Sequence, residues 1–355
     1  MVELLEIQRF LPLPYEAALE HRLRRAQERM QALPGRDPAL PALWAQGERI
    51  RRECRWLLVV DGGGAGTGIR GVLAALGLRP SMELRLLGGL PGGEALEDAL
   101  ALAARGNGAL LAVNGGEGTP AFSLLRECLG ENSRVLAEDR PETAALLVLA
   151  ACGVDAEALL RGAAQMGEIC QAASFANPAW RYAAARRQLC RAGYAVELLS
   201  CWDGALAPLL KWVQQRFAAS EGKGNRPPLP VVTDYSEDFQ TLGQYIQAGP
   251  RLFFETALRS APAGDALEDL RRAAARETCR AHLEGGVPQI AIDAGEGTAE
   301  SLGRLLYFFQ YACGLSACLL DADPRNGSGG APCGEAVPRA WRQAAARPAA
   351  GTGIL

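Results

Sequence analysis

Two glycine-rich turns are the places where this chain could bind an anion. DGGGAGTGIRG begins at Asp61 and NGGEGTP begins at Asn114, and each lies between an apolar run of strand length and an apolar segment. Glycine lets the backbone approach a ligand closely, and the N–H groups at the start of a helix attract phosphate and similar anions. The turns therefore indicate a site for a small anion, with tight packing between strand and helix as the alternative.

The first turn also contains GTGIRG, residues 66–71, which matches the GxGxxG pattern of dinucleotide sites. Such a site needs an acidic residue at the end of the next strand. Here that strand, LRLLGG at residues 84–89, ends without one, so the sequence disfavours a dinucleotide. No GKS or GKT follows either turn, which argues against a Walker A motif. We expect no cofactor.

A third candidate is the stretch AASEGKGNRPPLPVVTDYSEDFQTLGQ, residues 218–244. It places charged residues, glycine, proline and an aromatic residue between two amphipathic segments. This mixture is typical of loops that carry chemistry, so the stretch is a candidate for part of an active site.

The composition disfavours several classes of partner. The 355 residues are 49% hydrophobic and 22% charged, with a net charge of -3, whereas nucleic-acid binding needs a clustered basic surface. No apolar run reaches the roughly 18 residues of a membrane helix, and the N-terminus lacks the basic start of a signal peptide. We therefore expect a cytoplasmic protein. Ten scattered cysteines without a CxxC pair, and only two histidines, predict reduced buried thiols and no metal site.

Strands and helices alternate along the chain, which predicts parallel sheets with helices on both faces. The predicted strands lie within residues 56–60, 84–89, 109–118, 133–139, 195–200, 229–236 and 289–294. The predicted helices lie within residues 15–55 (two, broken at 33–41), 69–77, 94–106, 141–189, 210–220 and 299–320. A weak echo between AVNGGEGTPAFSLLRE and AIDAGEGTAESLGRLL supports two duplicated α/β units, and chance similarity is the alternative.

Several sequence motifs, in a fixed order along the chain, resemble those of bacterial phosphoglucose (glucose-6-phosphate) isomerases. They are NPAWRYAAARRQL, SEGK, DFQTLGQYIQAGPRLFFETAL, AHLEGGVPQI and GRLLYFFQYACGLSACLLDADP, all between residues 177 and 324. The resemblance implies two sugar-isomerase (SIS) units and usually a dimer. Its implied domains are N-terminal helices at 1–50, a shortened first SIS-like domain at 51–165, a second at 166–324, and a tail rich in Gly, Ala and Pro at 325–355.

The family interconverts glucose 6-phosphate and fructose 6-phosphate, which requires a carboxylate base, a histidine for ring opening and a lysine near the reacting oxygens. The family's E-S-x-G-K word reads ASEGK here, so the base position is Ala219. Its D-L-H-S-L-G-Q word reads DFQTLGQ, so the histidine position is Gln240. An ungapped alignment puts Gly334 at the lysine position. The resemblance thus implies that no catalytic residue is intact.

The family's phosphate turn, S-K-S-G-T-T, reads NGGEGT here, and Glu117 brings a negative charge to the place of the phosphate. Arg140 is a weak counterpart of the arginine in the family's G-G-R-Y-S word. The substrate-binding positions implied by the resemblance are Gly62, Gly63, Gly64, Asn114, Gly115, Gly116, Thr119 and Gln244.

These substitutions predict a family member that has lost most or all isomerase activity, because alanine cannot accept a proton and glutamine does not titrate. At most it binds a sugar phosphate, another small anion or a protein partner, as a homodimer or with an intact isomerase. A second hypothesis is a diverging family member that binds no ligand and whose sequence is constrained only by folding. The alternative is an active isomerase that uses relocated residues such as Glu221 and His282. Otherwise we expect Glu221 to be exposed and His282 to be structural.

Overall fold

The computed structural model describes residues 2–6, 10, 17–31, 40–222, 224–260 and 266–323. In chain order the strands are β1 (Val2–Leu5), β2 (Trp56–Asp61), β3 (Glu83–Gly88), β4 (Ala109–Val113), β5 (Arg134–Glu138), β6 (Val196–Cys201), β7 (Leu229–Asp234), β8 (Phe253–Arg259) and β9 (Gln289–Asp293). The helices are α1 (Ala17–Gln31), α2 (Leu40–Glu53), α3 (Ala65–Ala75), α4 (Gly93–Ala104), α5 (Pro120–Glu127), α6 (Pro141–Ala151), α7 (Ala156–Ile169), α8 (Pro178–Arg191), α9 (Ala207–Glu221), α10 (Tyr235–Asp238), α11 (Gln244–Ala248), α12 (Ala266–Glu284) and α13 (Ala299–Leu319).

The chain forms two compact units, and the four-stranded unit contains the described residues of 38–69 and 79–154. Its strands are all parallel, in the order β3-β2-β4-β5. The apolar run of β2 is buried from Trp56 to Val60, as expected for a strand that is covered on both faces. The Trp56 indole N–H donates to the Gly106 carbonyl at 2.8 Å, which satisfies this donor inside the core.

The five-stranded unit contains the described residues of 1–37, 70–78 and 155–328. Strands β6 to β9 are parallel, and the order is β1-β9-β8-β6-β7. At one edge β1 pairs antiparallel with β9. The two sheets confirm the predicted α/β fold, and β1 is an addition that the prediction lacked.

Further features differ from the sequence predictions, which also lacked helix α12. Strand β8 was not predicted, because two polar residues in FFETALR interrupt its apolar run. The long helical stretch at residues 141–189 is three helices. Gly153, at φ +85°, ends the first, Asp155 caps α7, and Asn177 caps α8 through its side-chain oxygen.

The stretch 218–244 is not one continuous loop, and the strand predicted within residues 229–236 is confirmed as β7. The stretch contains the end of α9, all of β7, α10, the π-helical turn Phe239–Gly243 and the start of α11. Lys223 lies outside the described residues, as do Gly334 and the rest of the tail from residue 324. None of the described helices is both long and apolar enough to cross a membrane.

Candidate functional site

The first glycine turn, in the four-stranded unit, already holds a carboxylate of its own chain. At the end of β2, the two Asp61 carboxylate oxygens accept N–H groups from Gly63, Gly64 and Gly66 at 2.8 to 2.9 Å. These are the backbone donors that the sequence assigned to an external anion. The turn is therefore an anion site whose occupant is built into the chain.

The second glycine turn is held together by Thr119. This buried residue caps α5: its hydroxyl accepts the Phe122 N–H at 3.3 Å and donates to the Gly116 carbonyl at 2.7 Å. A side-chain carbon at Gly116 would lie only 2.1 Å from the Val60 carbonyl oxygen, so only glycine fits there. Thr119 and Gly116 thus have structural tasks, whereas Gly115 and Glu117 are exposed.

The two turns also lie against each other at the ends of β2 and β4. The Gly62 N–H donates to the Val113 carbonyl at 3.0 Å. A side-chain carbon at Gly62 or Gly63 would lie within 2.4 Å of Asn114. The close approach of two backbones explains these glycines without any ligand. Arg140, at the end of β5, donates from Nε to the Glu138 carboxylate at 3.1 Å, so its charge is neutralised.

The second GEGT turn, between β9 and α13, borders a cleft of about 180 Å³ in the five-stranded unit. Asp203, Glu268 and Glu296 line this cleft, and no lysine or arginine does so among the described residues. Glu268 is paired with Arg271 at 3.2 Å, but Asp203 and Glu296 leave negative charge at the cleft, which opposes the approach of a phosphate. The GEGT turn between β9 and α13, although similar in sequence to the turn at Asn114, therefore does not form a phosphate site.

The two positions that the sequence resemblance assigns to the family's base and histidine are Ala219, in the last turn of α9, and Gln240, exposed in the π-helical turn. Crossovers between parallel strands are right-handed. The connection through α9 runs outward from β6 to β7, and the connection through α10 and α11 runs back to β8. Two such connections in opposite directions lie on opposite faces of the sheet. Ala219 and Gln240 therefore cannot meet within one copy of the chain.

A buried charged cluster occupies the face of the sheet that carries α8 and α9. We call it the Arg186 cluster, and its members are Tyr182, Arg186, Glu197, Glu221, Thr256 and Ser316. The Arg186 guanidinium donates to Glu197 Oε2 at 2.7 Å and to both Glu221 oxygens at 2.5 and 3.2 Å. It also lies over the Phe217 ring, 3.8 Å from the ring centroid. The cluster joins α8, α9 and α13 to the sheet.

Glu221, proposed from the sequence as a substitute base, belongs to this cluster. Only 2% of it is exposed, so the expectation that it is exposed is wrong. Burial raises the pKa of Glu221, and the charge and hydrogen bonds of Arg186 offset part of this effect. A raised carboxyl pKa suits a base, but both oxygens are already engaged and closed to solvent.

A second buried network occupies the opposite face, which carries α11 and α12. We call it the His282 cluster, and its members are Ser200, Glu255, His282, Gln289 and the Gly243 carbonyl. His282 Nδ1 lies 2.8 Å from Glu255 Oε2, and its Nε2 lies 3.3 Å from the Gly243 carbonyl oxygen. Gln289 Nε2 donates to the same Glu255 oxygen at 2.8 Å.

His282 is thus buried with both ring nitrogens engaged, although it also borders the open cleft described below. Burial disfavours a charged imidazole, but the hydrogen bond and charge of Glu255 outweigh it and raise the pKa of His282. Burial likewise favours a neutral Glu255, but hydrogen bonds led by His282 outweigh this and lower its pKa. Both shifts favour an imidazolium–carboxylate pair that holds α12 on the sheet.

The strand register proves that the two clusters lie on different faces. Successive side chains on a strand point to opposite sides. On β8, Thr256 donates to Glu197 in the Arg186 cluster, whereas its neighbour Glu255 contacts His282. Glu221 and His282 are therefore separated by the sheet, and they cannot act on one substrate within one copy.

The described cleft beside the family's histidine position is open to solvent. It measures about 360 Å³, and its lining includes Trp202, Phe239, Gln244, Gln247, Glu277 and Arg280. The rings of Trp202 and Phe239 lie 4.9 Å apart, while Glu277 and Arg280 pair at 2.8 Å and neutralise each other. Aromatic faces with amides suit an uncharged, hydroxyl-bearing ligand. In the described ranges, no three His, Cys, Asp or Glu side chains gather closely enough to hold a metal ion.

Four residues of these arrangements carry functions that the sequence did not suggest: Asp61, Arg186, Glu197 and Glu255. Asp61 stands directly before its glycines, so a capping role could have been recognised locally. The other three find their partners only through the tertiary fold.

Two solved structures share this architecture over most of the chain. A hypothetical protein from Thermus thermophilus superposes with a TM-score of 0.70 at 17% identity, over 97% of this chain and 100% of the other. A glucose-6-phosphate isomerase from Chlamydia trachomatis superposes with a TM-score of 0.71 at 13% identity, over 92% of this chain and 79% of the other. At such identities the likeness shows the fold alone, an α/β architecture with two mainly parallel sheets.

Sequence comparison then leads to one family. The glucose-6-phosphate isomerase of Heliobacterium modesticaldum is 36% identical over 203 residues, which are 51% of this chain and 45% of that protein. That of Symbiobacterium thermophilum is 36% identical over 204 residues, or 50% of this chain and 44% of that protein. The chain is therefore a divergent relative of the glucose-6-phosphate isomerases. It aligns with slightly less than half the length of these curated relatives, and no family model matches it.

Proposed function

We propose that this chain is a non-catalytic relative of the glucose-6-phosphate isomerases that binds a sugar derivative without isomerising it. The observation that carries the proposal is the state of the acid–base groups. By the sequence resemblance, Ala219 and Gln240 replace the family's base and histidine. The two remaining groups, Glu221 and His282, are buried, fully partnered and separated by the sheet.

Aldose–ketose isomerisation needs a base that reaches the proton between two carbons, and a second group that opens the ring. Glu221 cannot reach a substrate without breaking its cluster and exposing the charge of Arg186. His282 borders the cleft at Gln244, but it can act on a ligand there only by giving up its contact with Glu255 or with the Gly243 carbonyl. The alternative of an active isomerase with these residues relocated therefore requires both networks to open together.

The first prediction concerns turnover. We expect the purified protein to convert fructose 6-phosphate no faster than a protein-free blank, because groups that act as a unit are missing together. A coupled assay for glucose 6-phosphate measures this, with the Heliobacterium modesticaldum enzyme as the positive control. Turnover that is lost in Glu221→Gln but kept in Gln240→Ala would overturn the proposal in favour of the relocated site.

The second prediction concerns the cleft that Gln244 lines. If it binds a sugar, fructose or fructose 6-phosphate at about ten times its Kd should raise the melting temperature by roughly 2 °C, because only the folded state binds. We expect the shift to disappear in Gln244→Ala. It should persist in Gln240→Ala, since Gln240 is exposed in the π-helical turn just before Gln244 but does not line the cleft.

Inorganic phosphate is the comparison ligand for this titration. An equal shift with phosphate alone would show that charge rather than sugar is recognised, and would contradict the proposed cleft. The absence of any shift up to tens of millimolar sugar would reject the binding role and leave the catalytic loss standing.

A further inference from the structure

A second cavity in the five-stranded unit lies away from the family's positions. It measures about 340 Å³ and is formed by α7, α8, α13 and the strands β1 and β9. Most of its wall is apolar: Val2, Met166, Ile169, Ile292, Leu305 and Phe308. Its volume falls within the range of small-molecule sites. Ile169 is 48% exposed at its rim, although such a side chain is normally covered.

Two guanidinium groups interrupt this apolar wall. Arg304 Nη1 donates to Gln165 Oε1 at 2.8 Å and lies 3.3 Å from Glu300 Oε1, so this cation is already balanced. Arg181 is different, because no hydrogen bond or ion pair joins its guanidinium to another described residue. The cavity therefore offers one unbalanced positive charge.

The negative group that lines the cavity does not cancel this charge. Asp293 accepts from Arg259 at 3.0 Å on the neighbouring strand, so its carboxylate is already paired. Arg181 also lies in the second turn of α8, whose first turn lines the cavity through Pro178. The positive end of the α8 dipole adds to the field of Arg181 and favours an anion at the same place.

We infer that this cavity binds an amphipathic carboxylate, such as a medium-chain fatty acid. The hydrocarbon body packs against Met166, Leu305 and Phe308, and the carboxylate accepts from Arg181. Arginine presents two parallel N–H groups that match the two oxygens of a carboxylate. This site does not depend on the proposed function, because it shares no residue with the cleft at Gln244.

Isothermal titration of the full chain with octanoate, below its micelle concentration, tests this inference. We expect octanoate to bind at one site per chain. Octanol, which lacks the negative charge, and acetate, which lacks the long hydrocarbon chain, should both bind more weakly. Arg181→Gln should weaken octanoate binding by about tenfold or more, as the loss of a charge-assisted hydrogen bond implies. Ala176→Leu should also weaken it, since Ala176 is exposed on the cavity lining and leucine would narrow the entrance.

The matched control is Arg191→Gln, which removes the same charge from the exposed end of the same helix. It should leave octanoate binding unchanged, and circular dichroism should show all three variants folded. The inference is overturned if octanol binds as tightly as octanoate, if Arg191→Gln weakens binding as much as Arg181→Gln, or if octanoate does not bind at all.

Discussion

Replacing Arg186 by methionine is expected to destabilise the protein by roughly 3–5 kcal/mol, the usual cost of breaking a buried ion pair. The change leaves Glu197 and Glu221 inside the fold without their common counter-ion. It also removes the cation that lies 3.8 Å from the centroid of the Phe217 ring. Methionine fills a similar volume, so the loss reports the charge rather than a cavity. Urea denaturation followed by circular dichroism measures it.

Arg191→Met is the matched control, because Arg191 lies in the last turn of the same helix and is exposed. Its effect should stay within about 0.5 kcal/mol, as for most surface substitutions. A combined variant, Arg186→Met with Glu197→Gln and Glu221→Gln, should recover part of the loss, since no charge remains unpaired. If Arg186→Met were as stable as the control, the Arg186 cluster would not hold the fold together.

Replacing His282 by glutamine is expected to cost about 3 kcal/mol near pH 6 and less as the pH rises. The folded-state pKa of His282 is raised above its ordinary value of 6.5. Its contribution is thus complete below about pH 6.5 and is lost as the pH rises through the raised value. Glu255 has a lowered folded-state pKa, so its contribution is present above its ordinary 4.5 and is lost as the pH falls further.

The difference in unfolding free energy between wild type and His282→Gln should therefore be largest between about pH 5 and 6.5. Urea titrations at about pH 5.5, 7 and 9 measure it. The only other histidine, His21, is exposed on α1, so His21→Gln provides a control that should show no such dependence. A difference that grows towards pH 9 would mean that His282 is neutral in the folded protein.

Much of the fold follows from local patterns. Runs such as WLLVV and ALLAV are buried on both faces, and they are recognisable because parallel strands need continuous apolar sequence. The glycine turns between them and the following helices are equally visible. Strand β1 could not be predicted in this way, because its pairing with β9 joins residues almost 290 positions apart. Strand β8 was hidden because Glu255 and Thr256 are buried polar residues that look like a surface sequence.

The candidate site, like the fold, could be predicted from the sequence only in part. The sequence resemblance indicates substitutions at Ala219 and Gln240, but the sequence does not show that Glu221 is buried against Arg186. Its partner Arg186 lies 35 positions earlier on another helix, and both are nearly inaccessible to solvent. An acidic residue beside Gly222 looks like a solvent-exposed loop residue until the tertiary fold brings a guanidinium to it. The same holds for His282, whose pairing with Glu255 depends on the position of α12 on the sheet.

Because the Asp61 carboxylate already occupies the first glycine turn, an anion from solution must compete with it for the same N–H groups. A group tethered by a few residues acts as a ligand at an effective concentration on the order of millimolar or higher. A free phosphate must displace it from the N–H groups of Gly63, Gly64 and Gly66 and leave its charge nearby. The N–H groups of this turn are thus occupied by a carboxylate of the same chain, and neither dilution nor dialysis can remove it.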